Sequence, residues 1–119
     1  MATVLVVDDS RTSRKMLKEV LTEIGFEIVG EAVNGEDGFI KYKELRPDLV
    51  TLDITMPKLD GIEALQLIRK ENPEAHCVMI TAAGQRDKMI QAVKYGAAEF
   101  ITKPYEKDEV AKVLKKVMA

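Results

Sequence analysis

Cysteine is nearly absent from this 119-residue chain, which contains only one, Cys77. A single cysteine has no partner within the chain, so a disulfide framework is excluded. Its place in the apolar run 76–80 predicts a buried thiol in a strand, without a redox role. Histidine is equally scarce. His76 opens the same run and has no second type of metal-ligating residue at a suitable spacing, so we assign it no function.

Long apolar runs and a basic excess are also missing. No apolar run approaches the roughly 18 residues that a membrane span requires, and the start, Met1-Ala2-Thr3, lacks the charged and apolar regions of a signal peptide. We therefore expect a cytoplasmic protein that does not contact a membrane. The chain has 18 Lys and Arg residues and 20 Asp and Glu residues, a formal charge of −2. This charge provides no basic field for nucleic acid, and we expect no nucleic-acid partner.

The composition that remains is that of an ordinary globular domain, with 46% hydrophobic and 32% charged residues. There are no internal repeats, low-complexity tracts or linkers, and a chain of this length forms one core. We expect a single domain over residues 1–119, without a separate output domain. Because nothing after Val117 indicates a linker, we favour a stand-alone protein, and we expect it to be a monomer.

Short β-branched runs alternate with helical patterns five times along the chain, which predicts an α/β domain with a parallel sheet covered by helices on both faces. The near-continuous apolar content of the runs is typical of strands buried on both sides. The expected strands are 3–7, 27–30, 49–53, 77–81 and 99–102.

The helices have recognisable starts and stops. The first has the clearest 3.6-residue apolar period and is expected to begin near Ser10 and to end at Gly25. Asn34 and Asp60 are the expected N-caps of the second and third helices, and Gly96 is expected to end the fourth. The apolar period of the first helix consists of Leu17, Val20, Leu21 and Ile24.

Polar side chains stand where the expected strands end, namely Asp8, Asp9, Asp53, Thr81 and Lys103. The ends of parallel strands meet at one edge of a sheet, where ligands of open α/β sheets bind. Two carboxylates 4 Å apart repel by about 4 kcal/mol at an effective dielectric constant of 20. Lys103 supplies one positive charge against three negative ones, so the pattern leaves room for a divalent metal, and Mg²⁺ fits oxygen ligands best. We interpret this edge as a phosphoryl-transfer site.

Four motifs resemble the receiver domain of two-component response regulators, and together they span essentially the whole chain. They are V-V-D-D-S at the first strand, L-D-I-T-M-P-K-L-D-G at the third, I-T-A-A-G at the fourth and F-I-T-K-P at the fifth. The resemblance implies one receiver domain over residues 1–119, with a flavodoxin-like (βα)5 fold and a parallel five-stranded sheet of order 2-1-3-4-5.

The resemblance also implies roles for the residues at the sheet edge. Asp53 would be the phosphoacceptor, and its carboxylate would share Mg²⁺ with Asp9 and with the backbone carbonyl of Thr55. Asp8 would bind the ion through water. Lys103 would pair with Asp53 at rest and with a phosphoryl oxygen after transfer. In the alternative, purely structural interpretation, the acid pair only caps the helix that follows and Lys103 is a solvated turn residue.

Further positions have implied roles in switching. Thr81 would donate its hydroxyl to the phosphoryl group, and Phe100 would turn inward when Thr81 moves. The resemblance implies a cis bond between Lys103 and Pro104 that aims the ammonium inward. Tyr105 either lines a partner-binding face or covers the sheet. The residues that border the path of hydrolytic water, Thr55 and Ala83, carry no charge that could orient it, so no lifetime of the phosphorylated state is predicted.

The function implied is that of a signalling switch that catalyses its own phosphorylation and dephosphorylation, without the turnover of an enzyme. A histidine kinase would be the phosphodonor. For a stand-alone chemotaxis receiver, the target would be the flagellar motor switch protein or another downstream protein, and a phosphatase would end the signal. The alternatives are a phosphorelay intermediate and the isolated receiver of a longer transcriptional regulator.

Two other classes of protein share parts of the pattern. A phosphatase of the haloacid dehalogenase type also uses an aspartyl nucleophile, and Asp53-Ile54-Thr55 resembles part of its first motif. In such enzymes the nucleophile follows the first strand and further carboxylates come late, whereas here the acid pair comes first. A flavin-binding module would need a phosphate-cradling loop after the first strand, where Asp8 and Asp9 would repel the phosphate.

Overall fold

The computed structural model describes residues 1–119 and contains five strands that alternate with five helices. The strands are β1 Thr3–Val7, β2 Glu27–Ala32, β3 Leu49–Asp53, β4 Cys77–Thr81 and β5 Glu99–Thr102. The helices are α1 Arg11–Glu23, α2 Gly35–Leu45, α3 Gly61–Glu71, α4 Arg86–Lys94 and α5 Lys107–Val117. The longest helix has 13 residues, and no helix has the length and apolar character that a membrane span requires.

All neighbouring strands are parallel, and their order across the sheet is β2-β1-β3-β4-β5. This order is the flavodoxin-like one, so the predicted fold class is confirmed. The chain places β2 on one side of β1 and then β3, β4 and β5 on the other, so the strand order reverses between β1 and β3. In open α/β sheets the ligand crevice lies at this point, beyond the carboxyl ends of the strands.

Each face of the sheet packs on its own set of helices. One core joins the sheet to α2, α3 and α4 and includes Leu52, Met79 and Leu65. The other joins it to α1 and α5 and includes Leu21 and Leu114. The expected arrangement, with helices on both faces, is confirmed. Cys77 is fully buried and free, as its apolar run predicted.

The helix caps are those that the sequence predicts. Ser10 Oγ accepts a hydrogen bond from the Ser13 N–H at 3.2 Å, and Asn34 Oδ1 accepts one from the Asp37 N–H at 2.8 Å. Asp60 forms a reciprocal capping box with Glu63. Gly25 and Gly96 follow the C-caps of α1 and α4 with φ of 104° and 90°, in the region that favours glycine.

The second strand differs from its prediction in length and in burial. It continues to Ala32 instead of ending at Gly30, because its pairing with β1 extends through Val7, which lies opposite Ala32. It is also an edge strand, and most of its residues are only partly buried. Burial on both sides, expected for all strands, therefore holds for β3 and β4 and not for this edge.

Candidate functional site

The polar residues that follow the strands converge at one edge of the sheet. Asp8 directly follows β1, Asp53 and Thr81 are the last residues of β3 and β4, and Lys103 directly follows β5. Since all five strands run in the same direction, these four ends lie side by side.

Three carboxylates form the centre of the site. One carboxylate oxygen from each of Asp8, Asp9 and Asp53 lies within 4.8 Å of the other two. Asp8 is buried, Asp53 is partly buried and Asp9 is exposed, so the cluster opens to solvent on one side. Hard carboxylate oxygens at this separation suit a Mg²⁺ ion, which keeps several waters and takes one or two carboxylates from the protein. The residues present therefore fit the metal that the sequence predicts.

The Lys103 ammonium lies between two of these carboxylates. Its Nζ is 3.4 Å from Asp53 Oδ2 and 3.5 Å from Asp8 Oδ2. The peptide bond between Lys103 and Pro104 is cis, as the resemblance implied. One ammonium does not balance three carboxylates, and this imbalance is the electrostatic reason why the cluster favours a further cation.

The environment of Asp53 raises the pKa of its carboxyl group to about 6 from the ordinary 3.8. Burial is the main cause, and the neighbouring Asp8 charge adds to it. Lys103 acts in the opposite direction without cancelling the rise. Without a bound cation, Asp53 therefore keeps its proton up to about pH 6, well above the ordinary range of an aspartate.

Backbone and side-chain donors hold Asp8 in place. Its Oδ1 accepts from the Ser10 N–H at 2.8 Å, and its carbonyl accepts from Arg14 Nη1 at 2.8 Å. Arg14 Nε in turn donates to Glu31 Oε1 at 3.1 Å, and Lys18 Nζ donates to Glu31 Oε2 at 2.8 Å. The bond from Lys18 is the main reason why the pKa of Glu31 is lowered. Arg14 and Glu31 were not predicted from the sequence, since a basic residue within a helix and an acid in an edge strand are not specific patterns.

Thr81 lies at the expected strand end, but its hydroxyl is engaged elsewhere. Thr81 is fully buried, and its Oγ1 is 3.1 Å from Thr102 Oγ1. Donation to a phosphoryl group, the predicted role of Thr81, would require this hydroxyl to leave Thr102. The role stays a prediction.

The two aromatic residues near Lys103 lie on opposite faces of the sheet. Phe100 is partly buried against the core with α2, α3 and α4. Tyr105 packs against the core with α1 and α5, and burial followed by the Asp8 charge raises its pKa. The predicted switch residue, Phe100, therefore packs on the face of the sheet opposite to Tyr105.

A further residue that was not predicted from the sequence, Gln85, bridges the mouth of the site. The side chain of Gln85 accepts from the Ala82 N–H and donates to Thr55 Oγ1, each at 2.7 Å. Thr55 was predicted only as a backbone ligand, and the structure shows its hydroxyl in this contact. No sequence pattern marks Gln85, because its partners come from two different loops.

Comparisons with known proteins are consistent with this geometry. A family model described as "Response regulator receiver domain" matches residues 4–115. The chain is 47% identical over 114 residues to the chemotaxis protein CheY of Thermotoga maritima, which covers 96% of this chain and 95% of that protein. It is 45% identical over 115 residues to the chemotaxis protein CheY of Bacillus subtilis, covering 97% and 96%.

The fold is also similar to that of a solved structure. A chain of the CheX–CheY–BeF3–Mg²⁺ complex from Borrelia burgdorferi superposes with a TM-score of 0.94 and is 39% identical. The match covers 99% of this chain and 90% of that one. The similarity therefore includes the whole sheet and every strand end that forms the site.

Proposed function

Because the chain belongs to the response regulator receiver domain family, we propose that it accepts a phosphoryl group on Asp53 from the phosphohistidine of a partner kinase. The observation that carries the proposal is the position of Asp53 between Lys103 and the acid pair, at the carboxyl edge of a parallel sheet. We also propose that residues 1–119 act as one receiver domain. The proposed protein is a signalling switch and does not turn over a separate substrate.

The residues at this edge of the sheet would hold the Mg²⁺ ion. Asp9, Asp53 and the backbone carbonyl of Thr55 would bind Mg²⁺ directly, and Asp8 would bind it through a water molecule. A bound Mg²⁺ would neutralise part of the negative charge that Asp53 and the incoming phosphoryl group bring together. The same neutralisation favours the deprotonated Asp53 carboxylate, which is the form able to act as a nucleophile.

In the proposed transfer, one oxygen of the Asp53 carboxylate forms a bond to phosphorus. The bond between phosphorus and the imidazole nitrogen of the kinase breaks, and its electron pair stays on the nitrogen. Lys103 stabilises the charge on the phosphoryl oxygens from its position 3.4 Å from Asp53. In the later hydrolytic step, a water oxygen attacks phosphorus and gives its proton to solvent, the bond to Asp53 breaks, and inorganic phosphate leaves.

The phosphorylated form would change the surface made by α4, β5 and α5. We propose that the Thr81 hydroxyl leaves Thr102 for a phosphoryl oxygen, and that Phe100 turns inward into the space released. The exposed apolar side chains of α4 support this surface as the one that binds a target. Ile90 is 52% exposed and Val93 60% exposed.

The relatives named chemotaxis protein CheY support a role in chemotaxis. We propose the flagellar motor switch as the downstream target and a dedicated phosphatase as the partner that ends the signal. The cytoplasmic location and the monomeric state expected from the sequence stay predictions.

The direct test is incubation with acetyl phosphate and Mg²⁺, followed by mass spectrometry of the peptides. We expect a gain of one phosphoryl group on Asp53 that is lost in base, and no gain with the Asp53→Asn variant. EDTA should abolish the modification. A phosphoryl group on another residue of the wild-type protein, or none at all, would contradict the proposal.

A further inference from the structure

One side chain, Gln85, joins the two loops that flank Asp53. Its carbonyl oxygen accepts from the N–H of Ala82, the first residue after β4, at 2.7 Å. Its amide nitrogen donates at 2.7 Å to the hydroxyl of Thr55, which stands two residues after Asp53 in the loop that follows β3. We call this pair of hydrogen bonds the Gln85 strap. Both bonds have good lengths, and Gln85 is partly buried between the loops.

The strap uses a side chain from the N-cap position of α4, where side chains ordinarily cap the helix. Gln85 occupies the N-cap position of α4, yet it makes no side-chain capping bond. Glutamine is not among the residues preferred at this position, and here its amide is turned back toward the sheet edge. Gly84, with φ of 87°, provides the left-handed backbone that precedes it. The start of α4 is thus tied to the loops beside Asp53 instead of being capped.

The Ala82 N–H is a donor that a phosphoryl group on Asp53 can use. Residue 80 lies opposite Asp53 in the pairing of β3 with β4, and Ala82 follows two residues later at the same edge. A phosphoryl group brings three strong acceptor oxygens and a charge of up to about −2. Such a group competes for a nearby N–H more strongly than a neutral amide oxygen does, because hydrogen bonds to charged acceptors are stronger.

We propose that Gln85 is a positioning residue of the phosphoryl-accepting site, which holds Ala82 and Thr55 together at rest and gives up the Ala82 N–H when Asp53 is phosphorylated. This inference rests on the proposed function. No covalent bond changes in the exchange, since the N–H only replaces one acceptor by another. The released Gln85 amide is then free to leave Thr55, and the N-cap of α4 loses its link to the site.

The strap has a measurable consequence for the affinity of a phosphoryl mimic. The wild-type protein must break one hydrogen bond before the Ala82 N–H is available, and a net hydrogen bond corresponds to roughly a two- to tenfold change in an equilibrium constant. A variant without the strap should therefore bind the mimic more tightly by that factor. A residue that only stabilised the loops would have the opposite effect, because loosening the site would weaken binding.

The experiment is a titration of Mg²⁺-loaded protein with beryllofluoride, followed by isothermal calorimetry. Gln85→Met removes both hydrogen bonds and keeps the length of the side chain. Gln91→Met is the matched control, since Gln91 is exposed on the same helix and makes no side-chain hydrogen bond. We expect two- to tenfold tighter binding for Gln85→Met and wild-type binding for Gln91→Met.

A second measurement needs no variant. In nuclear magnetic resonance spectra of the wild-type protein, the Ala82 amide and the Gln85 side-chain amide report on the strap directly. We expect both to be protected from hydrogen exchange at rest, and the Gln85 side-chain amide to lose its protection when beryllofluoride and Mg²⁺ are added.

The outcomes separate the two proposals. If the wild-type protein binds beryllofluoride and Gln85→Met binds it equally or more weakly, the role of Gln85 is refuted while the proposed function stands. A Gln85 side-chain amide that stays protected in the bound state refutes it as well. If the wild-type protein binds no beryllofluoride, the proposed function itself fails, and the inference fails with it.

Discussion

The hydroxyl oxygens of Thr81 and Thr102 lie 3.1 Å apart and join the end of β4 to the end of β5. Thr81 is fully buried, whereas Thr102 is exposed. A buried hydroxyl without a partner is costly, so the pairing with Thr102 stabilises the resting position of the Thr81 hydroxyl. In the proposed function this contact opposes the move of Thr81 toward a phosphoryl group.

Removing the Thr102 hydroxyl should therefore favour the phosphorylated form. Thr102→Val should lower the free energy of unfolding of the resting protein by about 1 kcal/mol, because the Thr81 hydroxyl loses its partner. The same variant should bind beryllofluoride more tightly, as calorimetry can show. Thr102→Ser keeps a hydroxyl and should behave like the wild type. Equal effects of the two variants would contradict this account of the contact.

Asp53 should make the stability of the metal-free protein depend on pH. Its pKa is raised to about 6 in the folded protein, mainly by burial and then by Asp8, above the ordinary 3.8. Between these values the folded state binds more protons than the unfolded state, so its contribution is present below about pH 3.8 and is lost as the pH rises through about 6. After allowance for solvent screening, we expect a change of roughly 1 to 2 kcal/mol.

This dependence can be measured by urea unfolding in EDTA between pH 4 and 7, as a difference from Asp53→Asn. The amide of the variant does not titrate, so the wild-type protein should lose stability relative to the variant as the pH rises. A constant difference over this range would show that Asp53 titrates at its ordinary pKa.

Asp8→Asn should stabilise the metal-free protein by about 1 kcal/mol while it weakens Mg²⁺ binding. The substitution removes one charge from the cluster, and the Asn Oδ1 can still accept from the Ser10 N–H, as Asp8 Oδ1 does at 2.8 Å. Thermal unfolding in EDTA and calorimetry with Mg²⁺ test the two parts. Glu44→Gln, at an exposed position of α2, is the control for loss of one charge elsewhere. Unchanged melting of Asp8→Asn in metal-free buffer would refute the repulsion.

Thr51 carries the one buried side-chain oxygen that has no hydrogen-bond partner. It is fully buried on β3, within the sheet. Thr51→Val replaces the unsatisfied hydroxyl by a methyl group of similar size, so we expect a gain of about 1 kcal/mol in the free energy of unfolding. Chemical unfolding measures the change directly. A loss of stability would indicate that the hydroxyl is hydrogen bonded in solution.

Gly61 allows the start of α3 to approach the end of β3. A Cβ at this position would lie 2.1 Å from the Asp53 carbonyl oxygen and 2.8 Å from Ile54 Cα, both of which are backbone atoms. We expect Gly61→Ala to destabilise the protein by roughly 2 to 4 kcal/mol and to weaken Mg²⁺ binding by displacing Asp53. Gly30→Ala is the matched control. Its Cβ would first meet Leu45 Cδ1 at 2.7 Å, the end of a flexible side chain, so its loss should be smaller.

Much of the fold could be predicted from local patterns. Four of the five strands have the predicted bounds, because apolar runs flanked by polar or helix-breaking residues mark where a buried strand begins and ends. The end of β2 was predicted wrongly. The prediction ended the strand at Gly30, but pairing with β1 continues it as far as Ala32. Strand length at an edge depends on the neighbouring strand, which no local pattern contains.

The candidate site was predictable in part for a related reason. Parallel strands bring their carboxyl ends to one edge, so the meeting of Asp8, Asp53 and Lys103 follows from topology once the strands are placed. The contacts of Arg14 and Gln85 did not follow. They depend on the directions of single side chains, which packing between elements decides.

The sequence by itself determined the strands apart from the end of β2, the caps of the helices, and the charged groups that gather at the sheet edge. These features depend on apolar periodicity and on short-range backbone preferences, both of which are properties of neighbouring residues. Only the tertiary structure decided that Thr81 pairs with Thr102 and that Gln85 bridges Thr55 and Ala82. The bonds of Thr81 to Thr102 and of Gln85 to Thr55 join groups from separate strands or loops, so their geometry exists only once the sheet and its helices are packed.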